Sequence, residues 1–398
     1  MNKKTNIKTP KGFLFSTAEA AIKKAGRKDI GLIFSEAEAV VAGVFTTNSV
    51  KAAPVKLDMK RIRSGKGRAI IVNSGNANAC TSEQGMKDAM EMAELTGSAL
   101  GMDAASVYVC STGVIGSLMP MKKIRAGITL LSHSLGLSTV EDVATAIMTT
   151  DTFAKVASRK IKVDNTYVTI TGICKGAGMI SPKMATMLCF ILTDAAIEPS
   201  ALRNALGNAV ELSFNLMTVD GDMSTNDTVL IMANGMAGNA PITQSSAAFR
   251  SFHFALSRMM LEMSEMIIRD GEGASKFVRV TVKNARNYEE AKRGAFAIAN
   301  SLLVKTALCG SDANWGRIIA ALGYSGINIK EVKTDIVLNG IKVAIKGKSA
   351  GKDKEANDRL KGRDITIVAN LHLGKGSATV LTSDLTEDYV KINAEYRT

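Results

Sequence analysis

The sequence is poor in the side chains that most often carry out acid–base chemistry. Of 398 residues only three are histidines, at positions 133, 253 and 372, and they are widely separated. This spacing disfavours a Ser-His-Asp triad, and the G-x-S-x-G motif of a nucleophile elbow is also absent. No histidine lies near a cysteine or carboxylate at metal-ligand spacing, so we expect no metal ion.

Cysteine is also scarce and irregularly placed. The five cysteines, at positions 80, 110, 174, 189 and 309, form no C-x-x-C pair. An odd number of widely spaced cysteines in apolar contexts predicts reduced, mostly buried thiols rather than a disulfide framework or a zinc site. A thiolate nucleophile is disfavoured because the cysteines stand in apolar contexts and no histidine adjoins any of them.

Long hydrophobic runs are missing. The longest, such as 187–192, fall far short of the roughly 18 residues that a membrane helix needs. The apolar run 12–15 that follows the N-terminal lysines is too short for a signal peptide. We therefore expect a cytoplasmic protein without a membrane partner.

Aromatic residues are few, although the chain is basic. The net charge is +13, but the chain has one tryptophan and six tyrosines, and its lysines and arginines are dispersed. A surface that binds nucleic acid by base stacking is therefore not expected. The positive potential is better suited to attracting small carboxylate substrates, and a solvated surface without a role is the alternative.

Alternating patterns predict strands and helices along the whole chain. Strands are predicted at 30–34, 39–46, 68–72, 106–110, 185–193, 228–233, 277–283, 334–346 and 364–370, with a hairpin at Asp164-Asn165. Helices are predicted at 83–100, from Pro120 onward, and at 199–213, 247–268, 287–305 and 315–322. Interspersed elements of this kind indicate a layered α/β or α+β architecture.

Two segments combine hydroxyl residues with glycines in a way that suits catalysis. In 175–192 an irregular glycine-rich stretch leads into Ala185-Thr186 and then into an apolar strand. Thr186 is either a nucleophile held against its preceding carbonyl or an ordinary β-branched residue at a strand start, which the residues alone favour. In 110–116 a strand ends in Ser-Thr-Gly, which is either an oxyanion hole or a simple turn.

Two further segments are rich in polar residues next to strands. The stretch 73–81 reads NSGNANACT and follows a predicted strand, whereas 221–230 reads GDMSTNDTVL and runs into one. Each is either part of a site wall or a hydrogen-bonded turn. The segment GAGMIS lacks the Lys-Ser/Thr ending of a phosphate-binding loop and precedes a strand, so we expect no cofactor.

Together these segments resemble the ornithine acetyltransferase family of arginine biosynthesis. The resemblance runs through TPKGF, NSGNANACT, STGVIG, AIMTTDTFAK, KGAGMISPKMATML, EGASKF, GSDANWGR and LHLGKGSAT to the terminal DYVKINAEYRT. It implies a layered α/β fold of the self-processing (DmpA-like) type. The chain would cut itself before Thr186 into an α fragment, 1–185, and a β fragment, 186–398, which assemble as a heterotetramer of two α and two β fragments.

The family's chemistry is implied by the same resemblance. Thr186 attacks the carbonyl of Ala185, the peptide becomes an ester, and water cleaves it. The freed α-amine, with a reference pKa of about 7.7–8.0, then serves as the base of the nucleophile. Thr186 takes an acetyl group from N-acetylornithine and passes it to glutamate. Acetyl-CoA remains open as a second donor.

Site residues follow from matching positions in the family's motifs. Thr112 and Gly113 correspond to the oxyanion pair. The substrate-binding positions are Thr152, Lys175, Thr186, Glu272, Asn393 and Thr398. Lys175 suits a substrate α-carboxylate, and Glu272 suits the distal ammonium of ornithine.

The chain departs from the family pattern near the nucleophile. Lys183 stands where the family usually has Asn, which adds a positive charge beside Thr186. The competing prediction is a related N-terminal-nucleophile aminopeptidase or amidohydrolase, which shares the fold and lets water take the acyl group. The match through AIMTTDT, EGASKF and the C-terminal segment favours the transferase.

Overall fold

The computed structural model describes residues 7–181 and 187–395, and it contains two β-sheets. The larger sheet has eight strands in the order β4-β3-β2-β8-β7-β6-β5, with β1 paired to β2. Its strands are β1 (Phe13–Ala18), β2 (Ile30–Phe45), β3 (Lys66–Asn76), β4 (Val107–Val114), β5 (Lys155–Val163), β6 (Thr166–Lys175), β7 (Leu188–Thr193) and β8 (Thr228–Ala233). The pairs β3–β4 and β7–β8 are parallel, and the others in this sheet are antiparallel.

Helices cover this sheet because its strands are apolar on both faces. Successive side chains of a strand point to opposite faces, and Phe190 and Ile191 of β7 accordingly belong to different buried clusters. The covering helices are α1 (Ala53–Arg61), α2 (Ser82–Ala99), α3 (Met121–His133), α4 (Val140–Ala146), α5 (Pro199–Glu211) and α6 (Ala247–Arg269). Helices α2 and α3 pack with β2 to β4, whereas α5 and α6 pack with β5 to β8.

The smaller sheet has its own core and lies in the C-terminal part of the chain. Its order is β12-β11-β10-β13-β9-β14. The strands are β9 (Phe277–Ala285), β10 (Asp335–Leu338), β11 (Ile341–Ile345), β12 (Lys348–Ser349), β13 (Asp364–Asn370) and β14 (Gly376–Ser383). The remaining helices are α7 (Tyr288–Asn300), α8 (Leu302–Cys309), α9 (Trp315–Tyr324), α10 (Asp353–Leu360) and α11 (Glu387–Glu395).

The layered α/β prediction is confirmed, but two of the predicted elements are wrong as single units. The predicted strand 334–346 is a hairpin, because Asn339 and Gly340 take positive φ angles of 43° and 84° and reverse the chain. The predicted helix 287–305 is two helices, since Ser301 leaves the helical conformation and its hydroxyl caps Val304 of α8.

Other boundaries shift less. The strands predicted at 30–34 and 39–46 are one strand, β2, with an irregular register against β3 between Phe34 and Ala39. The hairpin at Asp164-Asn165 is confirmed, since Val163 pairs with Thr166. The strand predicted from 185 begins at Leu188 within the described residues. In that same part of the chain, no helix is both long and apolar enough to cross a membrane.

Candidate active site

Five of the predicted site residues meet in one cavity at the edge of the larger sheet. Thr112 and Gly113 come from β4, Lys175 ends β6, Glu272 follows α6, and Asn393 lies on α11. The cavity is also lined by Ala77, Ile115, Thr149, Thr150, Gly178, Met179, Ser224, Thr225 and Asn226. These residues are distant in sequence, so their convergence results from the tertiary fold.

The end of β4 is held in place by buried amides. Asn226 donates its side-chain N–H groups to the carbonyls of Ser111 and Ala77, both at 2.7 Å. The hydroxyl of Ser111 donates to Asn73 at 2.6 Å. The backbone that carries Thr112 is therefore fixed from both the β3 and the β8 sides. The two polar segments 73–81 and 221–230, for which the sequence left a site wall and a turn as alternatives, contain Asn73, Ala77 and Asn226. In the structure each segment forms a hydrogen-bonded turn and also contributes to the wall of the cavity.

Gly113 is required by its backbone geometry. Its φ is 135°, a value that L side chains rarely adopt, and a Cβ atom would lie only 2.3 Å from the carbonyl carbon of Gly75. This close approach brings β3 and β4 together where they end. The N–H and hydroxyl that the sequence assigned to an oxyanion hole thus stand on a rigid turn, which is what electrostatic preorganisation needs.

Lys175 is a buried cation beside Thr112. Its Nζ donates to Thr112 Oγ1 at 3.4 Å, which leaves the threonine's own hydroxyl hydrogen available to another acceptor. Burial lowers the pKa of Lys175, whereas the charge of Asp151 opposes that shift. A desolvated ammonium is a strong partner for a substrate carboxylate because less water competes for it.

A buried ion cluster of Asp151, Lys155 and Asp270 lies next to Lys175. Lys155 bridges Asp151, at 2.7 Å, and Asp270, and all three side chains are almost wholly buried. Asp151 also accepts the N–H of Gly176 at 2.7 Å. Burial by itself would raise the pKa of Asp151, but the charges of Lys175 and Lys155 bring it down to about 2. Asp151 and Lys155 lie inside the motif AIMTTDTFAK, but no sequence pattern marks them as members of a buried ion cluster.

Thr152 belongs to this cluster rather than to the cavity wall. Its N–H and its hydroxyl both donate to Asp270, the N–H at 3.0 Å. Its neighbours Thr149 and Thr150 line the cavity instead. The predicted substrate contact of Thr152 stays a prediction, and within the described residues its side chain faces Asp270.

Glu272 and Asn393 form the opposite wall. Asn393 Nδ2 donates to Glu272 Oε2 at 2.8 Å across 121 positions of sequence. Gly178 makes room for this carboxylate, because a Cβ there would lie 2.3 Å from the Glu272 carboxyl oxygen. Lys175 and Glu272 thus place a cation and an anion on the walls of the same cavity, which matches a substrate that carries an α-carboxylate and a distal ammonium.

Four residues of the sequence prediction lie outside the described residues: Lys183, Ala185, Thr186 and Thr398. The chain on both sides of 182–186 is anchored by carboxyl groups. Asp220 accepts the N–H groups of Met179 and Ile180, at 2.6 and 2.9 Å. Asp227 accepts the N–H of Met187 at 2.9 Å. Both acids lie in or next to the polar segment 221–230.

The cysteines take no part in the described cavity. Cys110, Cys174 and Cys189 are buried, and burial raises the pKa of each thiol, for Cys174 to about 12. Cys80 and Cys309 are exposed, so the prediction of buried thiols holds for three of the five. Among the described residues, no three His, Cys, Asp or Glu side chains are grouped so that they could hold a metal ion.

Comparison with known proteins decides the family. The model of the ArgJ family matches residues 14–398. The chain belongs to the ArgJ family. An arginine biosynthesis bifunctional protein ArgJ from Geobacter sulfurreducens is 53% identical over 390 residues, which cover 98% of this chain and 99% of the relative. Another from Caldanaerobacter subterraneus is 48% identical and covers 98% of each chain.

A solved ArgJ structure agrees with the fold. The arginine biosynthesis bifunctional protein from Bacillus halodurans has a TM-score of 0.50 and 42% identity, and covers 52% of this chain and 98% of its own. The predicted resemblance to the ornithine acetyltransferase family is therefore confirmed. The individual roles of Thr112, Gly113, Lys175, Glu272 and Asn393 remain predictions, which the shared cavity supports.

Proposed function

We propose that this ArgJ family member is a self-cleaving acyltransferase that moves an acetyl group from N-acetyl-L-ornithine to L-glutamate in L-arginine biosynthesis. The observation that carries the proposal is the cavity between Lys175 and Glu272, next to Thr112 and Gly113. It offers one cation, one anion and the predicted oxyanion pair within a single site. Met187, which follows Thr186 in sequence and precedes β7, is tied through Asp227 to the turn that helps to form this site.

The cavity walls suit both substrates. Glutamate and N-acetylornithine each have an α-carboxylate for Lys175, whereas only the ornithine skeleton has a distal ammonium for Glu272. The free α-amine of glutamate attacks the acetyl ester and releases the Thr186 hydroxyl. The oxyanion pair stabilises the negative oxygen that develops when the acetyl carbonyl is attacked. Thr186 holds the acetyl group as an ester after the donor amine leaves, so the two substrates react in turn.

Self-cleavage uses the same groups. Attack by the Thr186 hydroxyl on the Ala185 carbonyl forms an ester and frees the α-amine of Thr186, and water then releases the α fragment. The products are 1–185 and 186–398, and we propose that two of each form a cytoplasmic heterotetramer. No resident cofactor is needed for either reaction, because the peptide supplies the first acyl group and the donor supplies the second.

Two measurements test this function. N-terminal sequencing of the larger fragment should begin Thr-Met-Leu-Cys, and Thr186→Ala should stay uncut. A steady-state assay with glutamate and N-acetylornithine should give parallel double-reciprocal lines, the signature of a ping-pong reaction. The same assay with acetyl-CoA decides whether it is a second donor. A single active chain would refute self-cleavage. Release of acetate instead of N-acetylglutamate would refute the transferase in favour of the amidohydrolase.

A further inference from the structure

The glycine-rich loop after β6 shapes the anionic wall of the cavity. Gly178 lies against the side chain of Glu272, since a Cβ atom at 178 would come within 2.3 Å of Glu272 Oε2. The carbonyl of Ala177 accepts the N–H of Glu272 at 2.9 Å. The backbone of this loop therefore determines where the Glu272 carboxylate lies.

The loop needs support from outside to keep this shape. Met179 has a φ of 57°, in the left-handed region that residues with a side chain rarely adopt. Asp220 holds it there, because its Oδ2 accepts the N–H of Met179 at 2.6 Å and its Oδ1 accepts the N–H of Ile180 at 2.9 Å. The carbonyl of Ile180 in turn accepts the N–H of Val219 at 2.9 Å. Asp220 is thus the carboxyl group on which the conformation of the loop depends.

Tyr389 of α11 completes the support. Its hydroxyl donates to Asp220 Oδ2 at 3.3 Å, the same oxygen that accepts the N–H of Met179. Asn393 lies four positions further along α11, on the same side of the helix, and donates to Glu272. No residue of α11 is buried, so polar contacts rather than buried apolar surface hold this helix beside the cavity.

The cationic wall of the cavity is supported separately. Lys175 ends β6, where the strand is paired in register with β7. Next to it the N–H of Gly176 donates to Asp151 at 2.7 Å. Neither contact involves Tyr389. A change at Tyr389 should therefore leave Lys175 in place while it frees the carboxylate of Glu272.

We propose that Tyr389 and Asp220 are a positioning pair for Glu272, and that this pair gives the cavity its preference for a donor with a distal ammonium. The inference rests on the proposed function. Tyr389 fixes Asp220, Asp220 fixes the loop, and the loop fixes the carboxylate that receives the ammonium. Without the Tyr389 hydroxyl the carboxylate can take up other positions, so its charge-assisted hydrogen bond to the ammonium weakens.

Tyr389→Phe tests this in fully cleaved enzyme, because it keeps the ring and deletes only the hydroxyl. The donors to compare are N-acetyl-L-ornithine and N-acetyl-L-norvaline, which has the same skeleton without the distal ammonium. When two substrates react in turn, kcat/KM for a donor reports the donor half-reaction alone. Wild type should prefer N-acetylornithine, and Tyr389→Phe should lower that preference about three- to tenfold, with kcat/KM for N-acetylnorvaline and for glutamate unchanged.

Tyr108→Phe is the matched control. The Tyr108 hydroxyl donates to the carbonyl of Lys66 at 3.0 Å, at the start of β4 and away from the cavity-lining residues. This variant also loses a tyrosine hydrogen bond but should keep the wild-type preference. Thermal unfolding midpoints and fragment ratios on a gel accompany each assay.

Two further variants show whether Tyr389 acts through its partners. In a Glu272→Gln background, Tyr389→Phe should no longer change the preference, because the carboxylate that it positions is gone. Asp220→Asn keeps the size of the side chain but replaces one accepting oxygen by an amide, so it should lower the preference as Tyr389→Phe does.

A preference that falls by less than about twofold in folded, cleaved Tyr389→Phe overturns the inference. An equal loss for both donors also overturns it, since a purely structural role would produce that result, and so does an undiminished effect in the Glu272→Gln background. Should Tyr389→Phe not fold, Asp220→Asn decides by the same ratio. Wild type that makes no N-acetylglutamate from N-acetylornithine refutes the proposed function, whereas active wild type with an unaffected Tyr389→Phe contradicts the positioning pair alone.

Discussion

Replacement of Lys155 by methionine should destabilise the protein more than any other removal of a buried lysine in the described structure. Lys155 is completely buried and is the cation shared by Asp151 and Asp270. Methionine fills a similar volume but leaves two carboxyl groups in the core without it. Removal of one partner from a buried ion pair costs about 3–5 kcal/mol, because the remaining charge stays desolvated.

The lowered pKa of Asp151 points in the same direction. Its folded value of about 2 lies below the ordinary 3.8, which corresponds to a stabilisation on the order of 2 kcal/mol. Lys175 supplies part of this. Since the folded pKa is lowered, the stabilisation is fully present above about pH 4 and is lost as the pH falls toward 2. The gap between wild type and Lys155→Met should therefore be widest at neutral pH and narrow in acid.

Lys305 provides the matched comparison. It is also buried, but its Nζ donates to neutral groups, Thr382 Oγ1 at 3.0 Å and the carbonyl of Ser383. Burial lowers its pKa to about 8, so in wild type the unfolded chain binds the extra proton between about pH 8 and 10.5 and stability rises over that range. Lys305→Met removes a desolvated charge, which stabilises the fold, and leaves acceptors unpaired, which destabilises it, so the two effects nearly cancel at pH 7.

Urea unfolding followed by far-UV circular dichroism, at pH 7 and at about pH 2.5, measures both variants in the same cleavage state. We expect a loss of about 3–5 kcal/mol for Lys155→Met and less than about 2 kcal/mol for Lys305→Met at pH 7. The reasoning is refuted if Lys155→Met lies within about 1 kcal/mol of wild type, or if Lys305→Met is the less stable of the two.

Three further predictions concern the cavity. Thr112→Val keeps the shape of the side chain and deletes the hydroxyl. Fully cleaved enzyme should therefore turn over about 100- to 1000-fold more slowly, with little change in donor binding. A turnover number within about threefold of wild type contradicts the oxyanion role. Glu272→Gln should weaken the ornithine-derived donor more than glutamate, by about 1.5–3 kcal/mol, whereas Lys175→Met should weaken both, as measured by the KM of each substrate. Gly113→Ala should block processing, because its Cβ meets Gly75 at 2.3 Å; a normal fragment ratio on a gel would show that the turn tolerates a side chain.

Many residues of the site could be predicted from the sequence because each lies in a short, contiguous motif. The segments that contain Thr112, Gly113, Lys175, Glu272 and Asn393 were each identified from short stretches of chain, and the structure brings all five to one cavity. The family followed from the order of those motifs along the chain. Short strands with clear apolar patterns were also placed correctly. β8 is buried throughout and β13 is buried at every second residue, and side chains that face a core must be apolar wherever the strand lies.

Other features depend on neighbours that are distant in sequence. The chain between 287 and 305 forms two helices because a single serine, Ser301, caps the start of α8. The periodicity of apolar residues gives no sign of such a cap. The ion cluster joins Asp151 and Lys155 to Asp270 across 115 positions, and no local pattern marks a lysine for complete burial. Asp227 is the clearest case, because its sequence context is an ordinary polar turn and only the pairing of β7 with β8 brings its carboxyl group to Met187. Sequence alone thus determined which residues carry reactive groups, whereas the tertiary structure decided which of those groups are desolvated together, and desolvation is what sets their charge.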